Sequence, residues 1–141
     1  MIHEVDMDVT LVLDDERSAV VSWAMDGLVE GIDLRIRRTA LLESDETDVT
    51  ATLNWRSLVN RVVEGAAAAW HVPNEGCPET LWAVRLSLGE GSAIAVALGE
   101  VETGTIQYQP DALVVLFDEK AAPDYQPLGS TDTALRTAIK S

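Results

Sequence analysis

Residues 5–13 constrain the fold most strongly, because apolar and polar side chains alternate along them. From residue 5 to residue 13, apolar side chains fill every second position, and Asp6, Asp8 and Thr10 lie between them. A period of two with one polar face predicts a half-buried β-strand. The alternation returns over residues 19–25 after a short polar link, so the two segments predict a hairpin.

The same pattern along the chain predicts an antiparallel sheet of about seven or eight strands. Residues 93–98 and 112–117 are apolar on both faces, which predicts strands in the middle of a sheet. Gly89 and Gly91 can adopt the positive φ angles of a tight turn before the first of these strands. The remaining predicted strands are 32–36, 49–53, 82–88 and 105–108.

One segment, about 54–72, departs from the period of two. Its apolar side chains recur at spacings of three and four, which is typical of one stripe of an amphipathic α-helix. Asn54 is a suitable N-cap and Pro73 prevents continuation, so the pattern predicts a long helix packed on the sheet. His71 would then cap the C-terminal end of this helix. The predicted apolar stripe consists of Trp55, Leu58, Val59, Val62, Val63, Ala66, Ala69 and Trp70.

Strands, one helix and further strands follow one another with short connections, which predicts an α+β fold with a mainly antiparallel sheet. The length of 141 residues fits a single domain over 1–141. Residues 119–131 contain two prolines and no periodicity, so we interpret them as a loop-like segment. Residues 131–139 are compatible with a short C-terminal helix.

The chain is strongly acidic, with 24 acidic and ten basic residues and a formal net charge of −14. A field of this sign repels nucleic-acid phosphates and anionic membrane surfaces, so we expect neither as a direct partner. It attracts basic proteins. The excess is largest in residues 1–48, which hold 13 acidic and four basic residues. Solubility, or adaptation of the host to high salt, explains the same composition without any partner.

Acidic residues of this first third of the chain are the candidate partner-binding residues. They lie on the outer face of the first predicted strand and in two acidic turns, where ionised carboxylates can steer a basic partner. A second interpretation is that these are only solvated turns. The candidates are Asp6, Asp8, Asp14, Asp15, Glu16, Glu43, Asp45, Glu46 and Asp48.

No nucleotide-binding or nucleophile motif is complete in the sequence. Ile94 stands where a dinucleotide fingerprint beginning at Gly89 needs its third glycine, and a strand follows where that motif needs a helix. Ser92 follows Gly91, but the Gly-x-Ser-x-Gly elbow of hydrolases is absent. A hairpin turn explains these glycines better.

His3, His71 and Cys77 are the side chains best suited to hold a metal. Zinc sites need about four ligands at recurrent spacings, and no Cys-x-x-Cys or His-x-x-x-His pair is present. Cys77 and His71 as a thiolate pair lack an identifiable orienting group. We therefore predict no metal, no cofactor and no catalytic residue.

Cysteine usage and the N-terminal residues favour a cytoplasmic location. One cysteine excludes an internal disulfide and fits a reducing compartment. The N-terminus carries acidic residues where a signal peptide carries basic ones. No apolar run approaches the roughly 20 residues of a membrane-spanning helix.

These observations favour a non-catalytic binding protein that covers a basic surface on another protein. Small, acidic, motif-free inhibitors of nucleic-acid-cleaving toxins, such as immunity proteins and antitoxins, are a class with this composition. One alternative is a small-molecule-binding protein or enzyme with a pocket between helix and sheet. Another is the subunit of a structural homo-oligomer.

Overall fold

The computed structural model describes residues 2–5, 8–13, 17–26, 29–38, 53–72, 75–76, 79–89, 91–103 and 105–117. These residues form three sheets of five, three and two antiparallel strands, and their helical structure is one turn, α1. The elements are β1 (Ile2–Val5), β2 (Asp8–Val12), β3 (Ser18–Asp26), β4 (Val29–Arg37), α1 (Leu53–Arg56), β5 (Val63–His71), β6 (Thr80–Leu88), β7 (Ser92–Leu98), β8 (Glu100–Glu102), β9 (Thr105–Gln107) and β10 (Leu113–Leu116).

The five-stranded sheet has the order β1-β10-β7-β6-β5. All four residues of β10 are buried, and so is the run from Ile94 to Leu98 in β7. Both faces of these strands are therefore covered. This confirms the prediction that a two-sided apolar pattern marks the middle of a sheet. The predicted hairpin between β6 and β7 is also confirmed, with Gly91 at φ 77° in its turn.

The three-stranded sheet is a meander in which β2 pairs with β3 and β3 with β4. Val9, Val21 and Leu34 occupy adjacent register positions across it. The main-chain N–H of Leu13 donates to the carbonyl of Arg17 at 2.9 Å at the end of the first hairpin. The hairpin predicted from the two alternating segments is confirmed.

The two larger sheets share one hydrophobic core. Where β4 meets β6, a Cβ atom on Gly31 would lie 3.3 Å from the carbonyl oxygen of Leu81 and 3.3 Å from the Cβ of Thr80. A side chain at this position would force the two strands apart. Glycine therefore permits the close approach of β4 to β6.

The predicted long helix over 54–72 is wrong, and so is the α+β class that depended on it. Helical structure in this segment is limited to the single turn of α1, and Val63–His71 form strand β5. Asn60 has a positive φ of 68°, which ends the turn that follows α1. From Gly65 to His71 the residues alternate between outward and inward positions with a period of two. The described part of the chain is thus built from sheets, not from one long helix packed on a sheet.

The physical reason for this error is the alanine run. Ala66–Ala69 is apolar at every position, so it fits a helical period and a strand period equally well. Alanine has the highest intrinsic helix propensity, which favoured the helix. Pairing of eight β5 residues with β6 supplies a hydrogen-bonded ladder that outweighs this local preference. The predicted helix and the observed strand differ at the end of the run. Trp70 is exposed and His71 is buried in the strand, whereas the helix predicted the reverse.

The alternating segment over residues 5–13 also needs a correction, because two sheets share it. β1 pairs with β10, whereas β2 pairs with β3. The alternation correctly indicated extended structure but could not show this change of sheet. The predicted strand over 49–53 lies almost wholly outside the described residues, as do the segments 119–131 and 131–139.

Candidate functional site: strand β5 and the acidic residues

Of the nine predicted partner-binding residues, Asp8 is the one whose side chain the structure describes. Asp8 begins β2, is half-buried, and lies opposite Ser22 of β3. The other eight lie outside the described residues: Asp6, Asp14, Asp15, Glu16, Glu43, Asp45, Glu46 and Asp48. Their role as a binding surface stays a prediction.

Charge is unevenly divided between the described residues and the rest of the chain. The described residues hold eleven acidic and seven basic residues, a formal net charge of −4 out of the total of −14. Four of the seven arginines lie at one corner of the three-stranded sheet, at the start of β3 and the end of β4. They are Arg17, Arg35, Arg37 and Arg38, and Arg35 lies 4.0 Å from the Asp33 carboxylate.

The start of β5 is fixed to the turn between β6 and β7. The N–H of Gly89 donates to the carbonyl of Val62 at 3.1 Å, and the guanidinium of Arg61 donates to the Gly89 carbonyl at 3.1 Å. A Cβ atom on Gly89 would lie 3.6 Å from a carboxylate oxygen of Glu64. These contacts hold the first residues of β5 beside the hairpin, although the strand itself is outermost in the described sheet.

An exposed apolar row runs along one face of β5. Ala66, Ala68 and Trp70 point outward at every second position, and 43% of Trp70 is accessible to solvent. Two exposed valines precede the regular part of the strand: Val62, which is 70% exposed, and Val63. Large apolar side chains gathered beside one exposed strand are a feature of interaction surfaces.

The edge strands β1 and β4 carry contacts or charges that β5 has less of. Beside β1, the carboxylate of Glu4 accepts a hydrogen bond of 3.2 Å from the N–H of Val101 in β8, so part of that edge is occupied. Strand β4, one edge of the three-stranded sheet, carries exposed charges at Asp33 and Arg35 between exposed apolar residues. Charged side chains and covering segments are usual protections of a sheet edge. β5 carries one charged residue, Glu64.

His71 is a buried strand residue, so the predicted capping role at a helix end is wrong. Its side chain is 1% exposed and its Nε2 atom lies 3.4 Å from the Tyr108 hydroxyl. The two rings meet edge to face, with centroids 5.2 Å apart. This pair ties the inward side of β5 to the segment that follows β9.

Arg85 of β6 is the buried cation of the described core. It lies between Ala67 and Ala95 in the register of the five-stranded sheet and is 5% exposed. Burial lowers the pKa of its guanidinium to about 10, because desolvation disfavours the charged form. The alanines on either side leave the room that this long side chain occupies.

Within the described ranges, no group of three or more His, Cys, Asp and Glu side chains is arranged to hold a metal ion. Of the three candidate ligands, His3, His71 and Cys77, only the His71 side chain is described, and it contacts Tyr108. No helix in the described residues is long and apolar enough to cross a membrane.

Sequence reasoning missed the apolar row on β5 because it assigned those residues to the buried stripe of a helix. The local sequence does not distinguish the exposed row from the buried one, because both consist of alanines. Counting from Trp70 in steps of two reaches Ala68 and Ala66, whereas the same steps from His71 reach Ala69 and Ala67. The two rows separate cleanly only if the segment is read as a strand.

Comparison of the chain with family models, with curated proteins and with solved structures finds no match. Functional conclusions therefore depend on the residues and geometry described above.

Proposed function

We propose that this chain is a non-catalytic, cytoplasmic binding protein that covers a basic surface on another protein. The observation that carries the proposal is the combination of a net charge of −14 with large apolar side chains left exposed on and just before β5, namely Val62, Val63 and Trp70. Carboxylates accelerate the encounter with a cationic partner, and exposed apolar side chains contribute most of the affinity once the surfaces meet.

Trp70 and Val62 are the anchors that this function requires. A tryptophan buried at the centre of an interface is among the side chains that most often dominate binding energy. In the described surface, these two side chains lie toward opposite ends of β5, so a partner that contacts both must follow the strand. If the partner acts on nucleic acid through its basic surface, binding of this chain to that surface inhibits the partner.

The test begins with capture from a lysate of the source organism at low ionic strength, followed by purification of the captured protein. We expect a basic partner whose affinity falls as salt concentration rises, because salt screens the attraction between the two surfaces. Val62→Ser should weaken the complex about ten-fold, in keeping with loss of an apolar anchor. Val12→Ser is the matched control, because Val12 is also more than half exposed but lies on β2.

Three results would contradict the proposal. The captured partner could be acidic, its affinity could be indifferent to salt, or Val62→Ser and Val12→Ser could bind it equally well. The first two results would separate the acidity of the chain from recognition of a partner, and the third would show that Val62 is not an anchor.

A further inference from the structure

The outer edge of β5 is a regular, open stretch of main chain in the part of the protein that the structure describes. Its inner edge pairs with β6, and no other described strand pairs with it. Register irregularities lie near both ends, and between them Gly65–Ala69 pair residue by residue with Ala83–Ser87. Main-chain donors and acceptors on such an edge can be completed by another extended chain.

Side chains beside this edge leave room for a docking strand. Ala66 and Ala68 project on the exposed face and are small, so bulky side chains of an added strand can lie next to them. Side chains directly opposite in neighbouring strands have Cβ atoms about 5 Å apart. Trp70 ends the row and offers a large apolar surface to the last of these side chains.

Charges near the two ends of β5 favour a cationic segment. Glu64 is exposed at the beginning of the strand, and Glu75 and Glu79 are exposed in the connection that follows it. Of the two nearby arginines, Arg61 is half-buried and donates to main-chain carbonyls, and Arg56 is exposed in α1. Exposed carboxylates therefore precede and follow the open stretch along the chain.

We propose that the β5 edge binds an extended segment of a basic protein as a sixth strand of the five-stranded sheet. The segment has apolar side chains at alternate positions, facing the row of Ala66, Ala68 and Trp70, and lysine or arginine at its ends, near Glu64 and Glu79. It gains main-chain hydrogen bonds along the edge and specificity from its alternate side chains. This inference deepens the proposed function by naming the surface and the conformation of what binds there.

A second copy of the chain fits this edge less well. Antiparallel pairing of two β5 strands about Ala67 would bring Glu64 of each copy toward the end of the strand where the other copy carries Glu75 and Glu79. Each copy also carries a net charge of −14. Like charges brought together at an interface oppose association.

The probe for the experiment is the peptide acetyl-Lys-Val-Thr-Val-Thr-Val-Lys-amide, titrated into the full chain. Its control is the same peptide with N-methyl groups on the five central residues, which keeps the charge and side chains but removes the main-chain donors. We expect the unmodified peptide to bind about ten-fold more tightly. Amide hydrogen exchange should slow at every second residue of Gly65–Ala69 when it binds, because the N–H groups that point to the outer edge enter a new ladder while the others face β6.

A pair of matched variants locates the site. Ala66→Lys with Ala68→Lys places two positive charges on β5, where lysine blocks edge pairing. Thr105→Lys with Gln107→Lys adds the same charges at two exposed positions of β9. The β5 variant should lose about ten-fold in affinity for the unmodified peptide, and the β9 variant should lose much less. Urea unfolding of both variants checks that each remains folded.

Each alternative result is decisive. Equal binding of the two peptides shows that charge and side chains attract them without main-chain pairing and overturns the edge site, while capture of a basic partner still supports the proposed function. Protection of Gly65–Ala69 that rises with protein concentration, without peptide, assigns the edge to a second copy and overturns the inference. If the captured partner binds the β5 and β9 variants equally well, the result supports the proposed function but contradicts the edge site. If capture fails but the peptide pattern is as expected, the edge site stands without the proposed partner.

Discussion

Alanines dominate both the central strand β7 and the outer strand β5, and the two strands use them in opposite ways. In β7, Ala95 and Ala97 are buried, because the sheet is covered on both faces at its centre. In β5, Ala66 and Ala68 are exposed, although their neighbours Ala67 and Ala69 turn inward. The same small side chain thus allows close packing in one strand and leaves an open surface in the other.

The comparison teaches that position in a sheet, not residue type, decides what an alanine contributes. A central alanine is constrained by atoms on every side and cannot be enlarged without strain. An alanine in an outer strand has a small side chain, so it covers little of the surface around it. The strand therefore keeps an accessible edge. Four pairs of substitutions compare the covered and open parts of the sheet, beginning with the largest expected effect.

Two tryptophans, one at the covered end of β6 and one on the open row of β5, give the largest contrast. Trp82 is fully buried, whereas Trp70 is 43% exposed. Trp82→Ala should lower the free energy of unfolding by about 3–5 kcal/mol, because it leaves a large cavity in the core. Trp70→Ala should cost about 1 kcal/mol. Urea unfolding of both variants measures the difference, and equal losses would contradict the assignment of Trp70 to an open surface.

Enlarging one alanine in each strand gives the next contrast. Ala97→Leu should destabilise the protein by about 1–3 kcal/mol, because the added carbons have no space between the covered faces. Ala68→Leu should change stability by less than about 0.5 kcal/mol. The measurement is the shift in urea midpoint at constant slope. A large loss for Ala68→Leu would mean that the outward row of β5 is covered.

The inward side of β5 is tested at the contact between His71 and Tyr108. Tyr108→Phe removes the hydroxyl that lies 3.4 Å from His71 Nε2 but keeps the ring contact. We expect a loss of about 1 kcal/mol, which is typical of a buried hydrogen bond. Gln107→Ala, at an exposed position next in sequence, is the control. Thermal unfolding that shifts equally for both variants would show that the hydroxyl contributes nothing.

The smallest effect should come from raising the strand propensity of β5 itself. Ala68→Thr places a β-branched residue on the exposed face and should stabilise the protein by about 0.3 kcal/mol. A matched change at Ala97 should destabilise it, because a hydroxyl would enter the core. Urea titrations measure whether each substitution raises or lowers the free energy of unfolding. Destabilisation by Ala68→Thr would indicate that this exposed position tolerates no branched side chain.

Much of the sheet structure could be predicted, because the apolar and polar residues of its strands fit the period of two of a β-strand and not a helical period. The two-sided apolar runs of β7 and β10 placed them correctly in the middle of a sheet, and the alternation of β2 and β3 gave their hairpin. Alternation could not reveal that β1 and β2 belong to different sheets, because a change of sheet leaves the period unchanged.

The candidate site could be predicted only in part. Net charge pointed to a basic partner, but eight of the nine acidic candidates lie outside the described residues. The β5 surface was missed because Ala66–Ala69 satisfies any period, and intrinsic propensity then favoured a helix. Only pairing with β6, a contact with residues further along the chain, determines which of Trp70 and His71 faces outward.

Strand β1 has a consequence for the order of assembly during synthesis. Its partner is β10, so Ile2 meets Leu116 only after nearly all of the described chain has left the ribosome. Contacts between such distant residues form slowly, because a long loop must close before any bond rewards it. Until then one edge of the hydrophobic strand β10 lacks its neighbour, and a shortened chain that lacks β10 leaves β1 without its pairing strand.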